Sequence, residues 1–139
     1  MSLHRRPGWT LPNGHLVRSN AEVALCDYLS EMNFAHTHWE GNFEIPIGTD
    51  QLRLFTPSIT LTDLKKDGCI IVIQAIDGVT PGSGLRRMQA FCKTYSHDYF
   101  LIVIARRPLH HRVPEDAYHR LFPLEDFLPL LQFLRGLQT

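Results

Sequence analysis

The chain has 139 residues, of which 44% are hydrophobic and 20% are charged, a length and composition that predict one globular domain and argue against wholesale disorder. Fourteen basic and fourteen acidic side chains give a formal charge of zero, which excludes the strongly basic balance of a protein that holds nucleic acid by charge alone. No segment approaches the roughly 20 apolar residues that span a bilayer, and the N-terminus lacks the apolar core of a signal peptide. We therefore expect a cytoplasmic protein with no membrane partner.

The three cysteines, Cys26, Cys69 and Cys92, form no CxxC pair and are odd in number. This pattern predicts neither a disulfide framework nor a zinc ribbon. Each cysteine lies in an apolar run, which favours a small buried hydrophobic side chain.

Residues 1–17 are dense in turn formers and predict an irregular N-terminal arm or a short hairpin, in front of a single domain at 18–139. The basic start of the arm and Trp9 are able to contact a nucleic-acid backbone and stack on a base, but we favour a flexible, solvated tail. The first predicted helix follows. Ser19 and Glu22 have the S-x-x-E spacing of a capping box, which places the start of this helix.

His36 and His38 lie in a short predicted strand, where residues two apart share a face. Two histidines in this arrangement are able to ligate a metal. No Cys, Asp or third His follows them at a ligand-like spacing, so we expect two exposed histidines and no metal site. A further strand begins at Phe43 and leads to a hairpin turn at Gly48.

The stretch from Phe55 to Gly78 predicts two strands joined by a turn. Its first half alternates between apolar and polar residues, as a half-buried strand does. Gly68 closes the turn, and the run from Ile70 to Ile73 is β-branched throughout, which is typical of a strand covered on both faces. This strand ends in polar residues, beginning with Gln74, and such strand ends commonly form sites.

A helix from about Leu85 to Tyr95 and an apolar strand over 99–105 come next, and their order predicts a crossover into a parallel neighbouring strand. Basic side chains on the helix and directly after the strand form the predicted nucleic-acid-binding set, with an ordinary solvated surface as the alternative. The members of the set are Arg86, Arg87, Lys93, Arg106 and Arg107.

The C-terminal part of the chain predicts one or two helical turns over 114–122 and a longer apolar helix after Pro123. The longer helix is expected to pack on the sheet or, failing that, to contact a protein partner or a second copy of the chain.

Pro57-Ser58 and Gln74-Ala75-Ile76 resemble the motif of the PD-(D/E)xK nuclease superfamily. The resemblance implies an α/β fold, with a three-layer α/β/α restriction-endonuclease-like core in which helices flank a central mixed β-sheet. In that family the motif acids hold a divalent metal that activates water, and the Lys stabilises charge. The resemblance places Ser58 where the first acid would stand, Gln74 at the second acid and Ile76 at the Lys.

The same family often carries an Arg-Ser-x-x-Glu run on its first helix, and Arg18, Ser19 and Glu22 match it. The Glu of that run faces the metal site in the family. The resemblance therefore adds Glu22 to Ser58 and Gln74 as the catalytic positions, and it leaves open whether Glu22 serves as a cap, a site residue or both.

Three hypotheses follow. The first is a catalytically impaired nuclease-like domain, without a metal cofactor, that binds DNA or a protein partner in a restriction, recombination or transposition assembly. The second is an active Mg²⁺-dependent endonuclease whose site has migrated to Glu22, Asp63 and Asp77. The third is a structural or regulatory subunit that does not bind nucleic acid.

Overall fold

The structure is a computed structural model that describes residues 8–78 and 80–138. The basic start of the predicted arm, at residues 4–6, lies outside these ranges. In chain order the elements are β1 (Trp9–Thr10), β2 (Leu16–Val17), α1 (Asn20–Glu31), β3 (His36–His38), β4 (Phe43–Ile47), β5 (Gln51–Phe55), β6 (Ile59–Lys66), β7 (Cys69–Ala75), α2 (Gly82–Tyr95), β8 (Tyr99–Ala105), β9 (Arg120–Pro123) and α3 (Leu128–Gly136).

The main sheet has five strands in the order β3-β6-β7-β8-β9. Strands β3, β6 and β7 run antiparallel, whereas β7, β8 and β9 run parallel. This mixed sheet with its helices confirms the α/β class. The predicted parallel pairing is also confirmed, because β7 pairs with β8 from Ile70 opposite Tyr99 onward.

Alternate residues of the central strands are buried on opposite faces of the sheet. Ile71 and Ile73 of β7 pack with α1 and α3, while Val72 packs with α2 and the β4–β5 hairpin. Leu130 and Leu134 bury the apolar side of α3 against the sheet. This confirms the expectation that the C-terminal helix packs on the sheet.

The prediction of helical turns over 114–122 is wrong in its second half. Glu115–Ala117 form a single 3₁₀ turn, and β9 then runs parallel to β8 with Phe122 opposite Ile104. Four residues are too few to show a strand period, so pairing with β8 decides the conformation.

The N-terminal arm contains a short hairpin, with Trp9 opposite Val17, which is one of the two conformations that its turn formers predicted. The turn between β6 and β7 has positive φ angles at Asp67 and Gly68, the pattern of a two-residue hairpin turn. Within the described ranges, no helix is long and apolar enough to cross a membrane.

Candidate metal centre

A cluster of polar side chains lies where α1, β3 and the N-terminal hairpin meet. Glu22 and Cys26 are one turn apart on α1 and therefore share one side of the helix. His36 and His38 alternate with Thr37 on β3 and share the face of the strand that α1 covers. His15, the residue directly before β2, extends into the same space.

The start of α1 positions Glu22. The Ser19 side chain accepts a hydrogen bond from the Glu22 backbone N–H at 3.2 Å, which confirms the predicted cap. One carboxylate oxygen of Glu22 accepts from the Arg18 backbone N–H at 3.1 Å, and the other lies 2.6 Å from Nδ1 of His38. Glu22 is therefore part of the helix cap and of the cluster, although only 1% of its surface is exposed.

The sulfur of Cys26 is the centre of the cluster. It lies 3.3 Å from Nδ1 of His15, 3.4 Å from Nε2 of His36 and 3.3 Å from Nε2 of His38. With zinc–sulfur bonds of about 2.3 Å and zinc–nitrogen bonds of about 2.0 Å, tetrahedral angles put the sulfur–nitrogen distances at roughly 3.5 Å and the nitrogen–nitrogen distances at roughly 3.3 Å. The four ligand atoms, which all lie within 4.8 Å of one another, are thus arranged at the scale of one coordination sphere.

In His36 and His38, Nδ1 is the ring nitrogen that does not contact Cys26, and its hydrogen bond assigns the tautomer. Nδ1 of His36 lies 2.8 Å from the Phe34 carbonyl oxygen, which only accepts, so Nδ1 carries the hydrogen. Nδ1 of His38 donates in the same way to Glu22. In the neutral rings both Nε2 lone pairs then point at the Cys26 sulfur, and a carboxylate or carbonyl behind each imidazole is the usual second layer of a metal site.

The surroundings of His15 and His36 favour the neutral imidazole. Burial lowers the pKa of His36 and of His15, and the neighbouring His38 lowers both further. Neutral rings are the form that binds metal.

The Cys26 thiol is under opposing influences. Burial raises its pKa, and hydrogen bonds from Asn13 and Ser30 act in the opposite direction. Nδ2 of Asn13 donates to the sulfur at 3.7 Å. A bound divalent cation would favour the thiolate strongly.

Two expectations from the sequence are wrong. The strand histidines are not exposed, because His36 is 8% exposed and the His38 side chain 2%. Cys69 is only partly buried, whereas Cys26 and Cys92 are buried as expected. The Cys26 sulfur also contacts three imidazole nitrogens. The other two members of the cluster, His15 and Cys26, precede the His-x-His pair in the chain, whereas the sequence expectation concerned only the residues that follow it.

The positions that resemble the nuclease motif lie around a second feature, a cleft of about 420 Å³ between the end of β7 and the first turn of α2. We call it the α2 cleft; its lining includes Trp39, Phe55, Gln74, Ile76, Asp77 and Arg87. The Ser58 hydroxyl accepts from the Ala75 backbone N–H at 3.3 Å, so it lies beside this strand end. Oε1 of Gln74 is buried and accepts no hydrogen bond from the described residues.

Gln74 and Ile76 line the α2 cleft, but Glu22 is not among the described residues that line it. The connection between them is Trp39, which lines the cleft and whose Nε1–H donates to Glu22 at 3.1 Å. The carboxylates considered for a migrated site are also apart, since Asp77 lines the α2 cleft and Asp63 lines a separate depression next to Leu137.

The predicted basic residues are distributed over two regions. Arg87 lines the α2 cleft and donates to the Leu54 carbonyl at 3.4 Å, while Arg86 and Lys93 are exposed elsewhere on α2. Arg106 and Arg107 are exposed after β8. Acidic side chains surround Arg107: its backbone N–H donates to Glu125, and its guanidinium lies 3.8 Å from Asp126.

Comparisons of the chain with protein-family models, with curated proteins and with solved structures found no match. The functional assignment therefore depends on the geometry of the side chains.

Proposed function

We propose that this chain is a zinc-binding domain in which His15, Cys26, His36 and His38 ligate one ion. The observation that carries the proposal is the position of three imidazole nitrogens within 3.3–3.4 Å of a single buried sulfur. This ligand set replaces the metal-free expectation drawn from the sequence.

The donor atoms indicate which metal. One thiolate and three imidazoles suit zinc, which prefers nitrogen and sulfur in a tetrahedron. Magnesium and calcium take oxygen ligands, so the Mg²⁺ of an active nuclease would find no partners in this cluster.

Four protein ligands are typical of a structural site, because catalytic zinc keeps one position open for water or substrate. The ion would join the N-terminal hairpin, α1 and the edge strand β3. Strands β1 and β2 have only two residues each, and so short a hairpin is not stable alone in water. Zinc bonded to His15 would hold this hairpin against the domain.

The charges of the cluster also fit a dication. A Cys26 thiolate together with the Glu22 carboxylate places two negative charges in a region that is nearly closed to solvent. Buried charges require partners, and one Zn²⁺ balances both.

The first test is metal binding by the purified full chain. We expect one equivalent of zinc per chain, and cobalt substitution should give the visible bands of a tetrahedral ion together with a thiolate-to-cobalt charge-transfer band. Cys26→Ser should abolish the charge-transfer band and the stoichiometric binding. Cys92→Ser is the matched control, because Cys92 is buried on the other side of the sheet and should leave both unchanged. Equal cobalt spectra in the two variants would refute the ligand assignment.

We also propose a second function, for the α2 cleft: a catalytically silent, restriction-endonuclease-like core that binds nucleic acid there. The observation that favours it is the grouping of Trp39, Gln74 and Arg87 around one cleft at the carboxyl end of β7. An indole stacks on bases, an arginine pairs with phosphate, and an amide hydrogen-bonds to base edges. The motif positions Ser58, Gln74 and Ile76 supply no carboxylate for catalysis.

This second function predicts salt-sensitive binding to DNA in a gel-shift assay with duplex, branched and single-stranded probes. Arg87→Ala should weaken binding and lower the salt slope by about one. Arg135→Ala, which removes the same charge from the exposed end of α3, should have little effect. Absence of binding to every probe, or equal binding by the two variants, would rule the proposal out.

A further inference from the structure

The metal centre and the α2 cleft share one structural element, the segment His38-Trp39. His38 belongs to the proposed ligand set of the centre, and the next residue, Trp39, lines the cleft. Glu22 contacts both side chains: one carboxylate oxygen lies 2.6 Å from Nδ1 of His38, and the other accepts from Nε1 of Trp39 at 3.1 Å. The carboxylate is therefore a direct link between a metal ligand and a wall of the cleft.

The backbone of Trp39 needs such support. Its φ is 54°, in the left-handed region that bulky side chains rarely adopt. Outliers of this kind persist where surrounding contacts fix them, and they cluster at functional sites. Three contacts hold Trp39: its backbone N–H donates to the Ser58 carbonyl at 3.1 Å, its indole N–H donates to Glu22, and the Arg18 guanidinium lies 4.5 Å above its ring.

We infer that the metal ion positions the Trp39 indole through His38 and Glu22, so that the shape of the α2 cleft depends on metal occupancy. This inference rests on the proposed zinc site. With zinc bound, the imidazole of His38 is fixed at Nε2 and its Nδ1–H holds the carboxylate, which in turn holds the indole. Without zinc, no metal bond would hold Nε2 of His38. The Glu22 carboxylate would then lose a rigidly held hydrogen-bond donor.

Glu22 is accordingly a positioning residue for two sites. Removal of a carboxylate behind a metal-bound histidine typically weakens metal binding about 10- to 100-fold without removing a ligand. The same change removes the acceptor of the Trp39 indole. Any ligand that stacks on this indole would then bind in a metal-dependent manner.

Tryptophan fluorescence tests the coupling directly, because the chain has two tryptophans and Trp9 is 42% exposed. In a Trp9→Phe background, Trp39 is the single emitter. We expect acrylamide to quench Trp39 weakly in the zinc-loaded protein and at least threefold more strongly after chelation, with the indole N–H resonance losing its protection from solvent exchange. The far-ultraviolet circular dichroism should change little.

Glu22→Gln in the same background should retain one zinc with weaker affinity and show the quenching of the chelated protein even when loaded. Glu31→Gln is the matched control, since it makes the same change at an exposed position of α1 and should behave as the parent. If zinc binds at one equivalent and Trp39 responds neither to chelation nor to Glu22→Gln, the inference fails while the zinc site stands. If no metal binds at all, the proposed function itself fails.

Discussion

Removal of the metal by a chelator should lower the midpoint of thermal unfolding by about 10 to 20 °C, the largest effect expected for this protein. A ligand at a thousand times its dissociation constant stabilises the folded state by about 4 kcal/mol. For a domain of this size each kcal/mol shifts the midpoint by roughly 3 to 5 °C. Differential scanning fluorimetry of the zinc-loaded protein, with and without chelator, measures the shift.

The physical reason is that the ligands come from distant parts of the chain. His15 precedes α1, Cys26 lies within it, and His36 and His38 follow it. One ion at the proposed site would therefore cross-link the hairpin, the helix and the edge strand, and it would bind tightly only to the folded chain. The Cys26→Ser variant provides the control: its midpoint should be low from the start and should not respond to the chelator. A wild-type midpoint that is equally insensitive would contradict a structural zinc.

Phe91→Ala should lower the free energy of unfolding by about 3 to 5 kcal/mol without changing zinc stoichiometry. Phe91 is fully buried on α2, and its ring lies 5.0 Å from the rings of Phe43 and Phe55, which belong to the two strands of the β4–β5 hairpin. Removal of the phenyl ring leaves a cavity where this hairpin packs on α2. Chemical denaturation with zinc present throughout measures the loss.

Tyr95→Phe is the milder companion of this change. The Tyr95 hydroxyl donates to the Glu44 carbonyl at 2.7 Å, so the variant loses one hydrogen bond at the same packing interface, worth about 1 kcal/mol. Phe91→Ala should lower the free energy of unfolding more than Tyr95→Phe. Both variants should bind zinc normally, because Phe91 and Tyr95 lie on the face of the sheet opposite to the metal centre. Loss of zinc in Phe91→Ala would show that the two faces are not independent.

The elements with clear periodicity were predictable from the sequence. Strand β8 is an unbroken apolar run, β7 is apolar except for Gln74, and the start of α1 is marked by Ser19 and Glu22, so each was placed within a few residues. Strand β9 was not, because its four residues take their conformation from pairing with β8.

The metal centre was beyond sequence patterns for a related reason. His15 and Cys26 have no fixed spacing to His36, and only the packing of α1 on β3 brings their side chains together. The His-x-His pair was the available signal in the sequence. The two other members of the cluster, His15 and Cys26, lie upstream of that pair in the chain. The resemblance to the nuclease motif remains a prediction.

X-ray absorption at the zinc edge of the purified protein tests the central claim most directly. We predict one sulfur at about 2.3 Å and three imidazole nitrogens at about 2.0 to 2.1 Å from the ion. A shell made only of oxygen and nitrogen atoms, or a protein that retains no zinc after purification in zinc-containing medium, would contradict it.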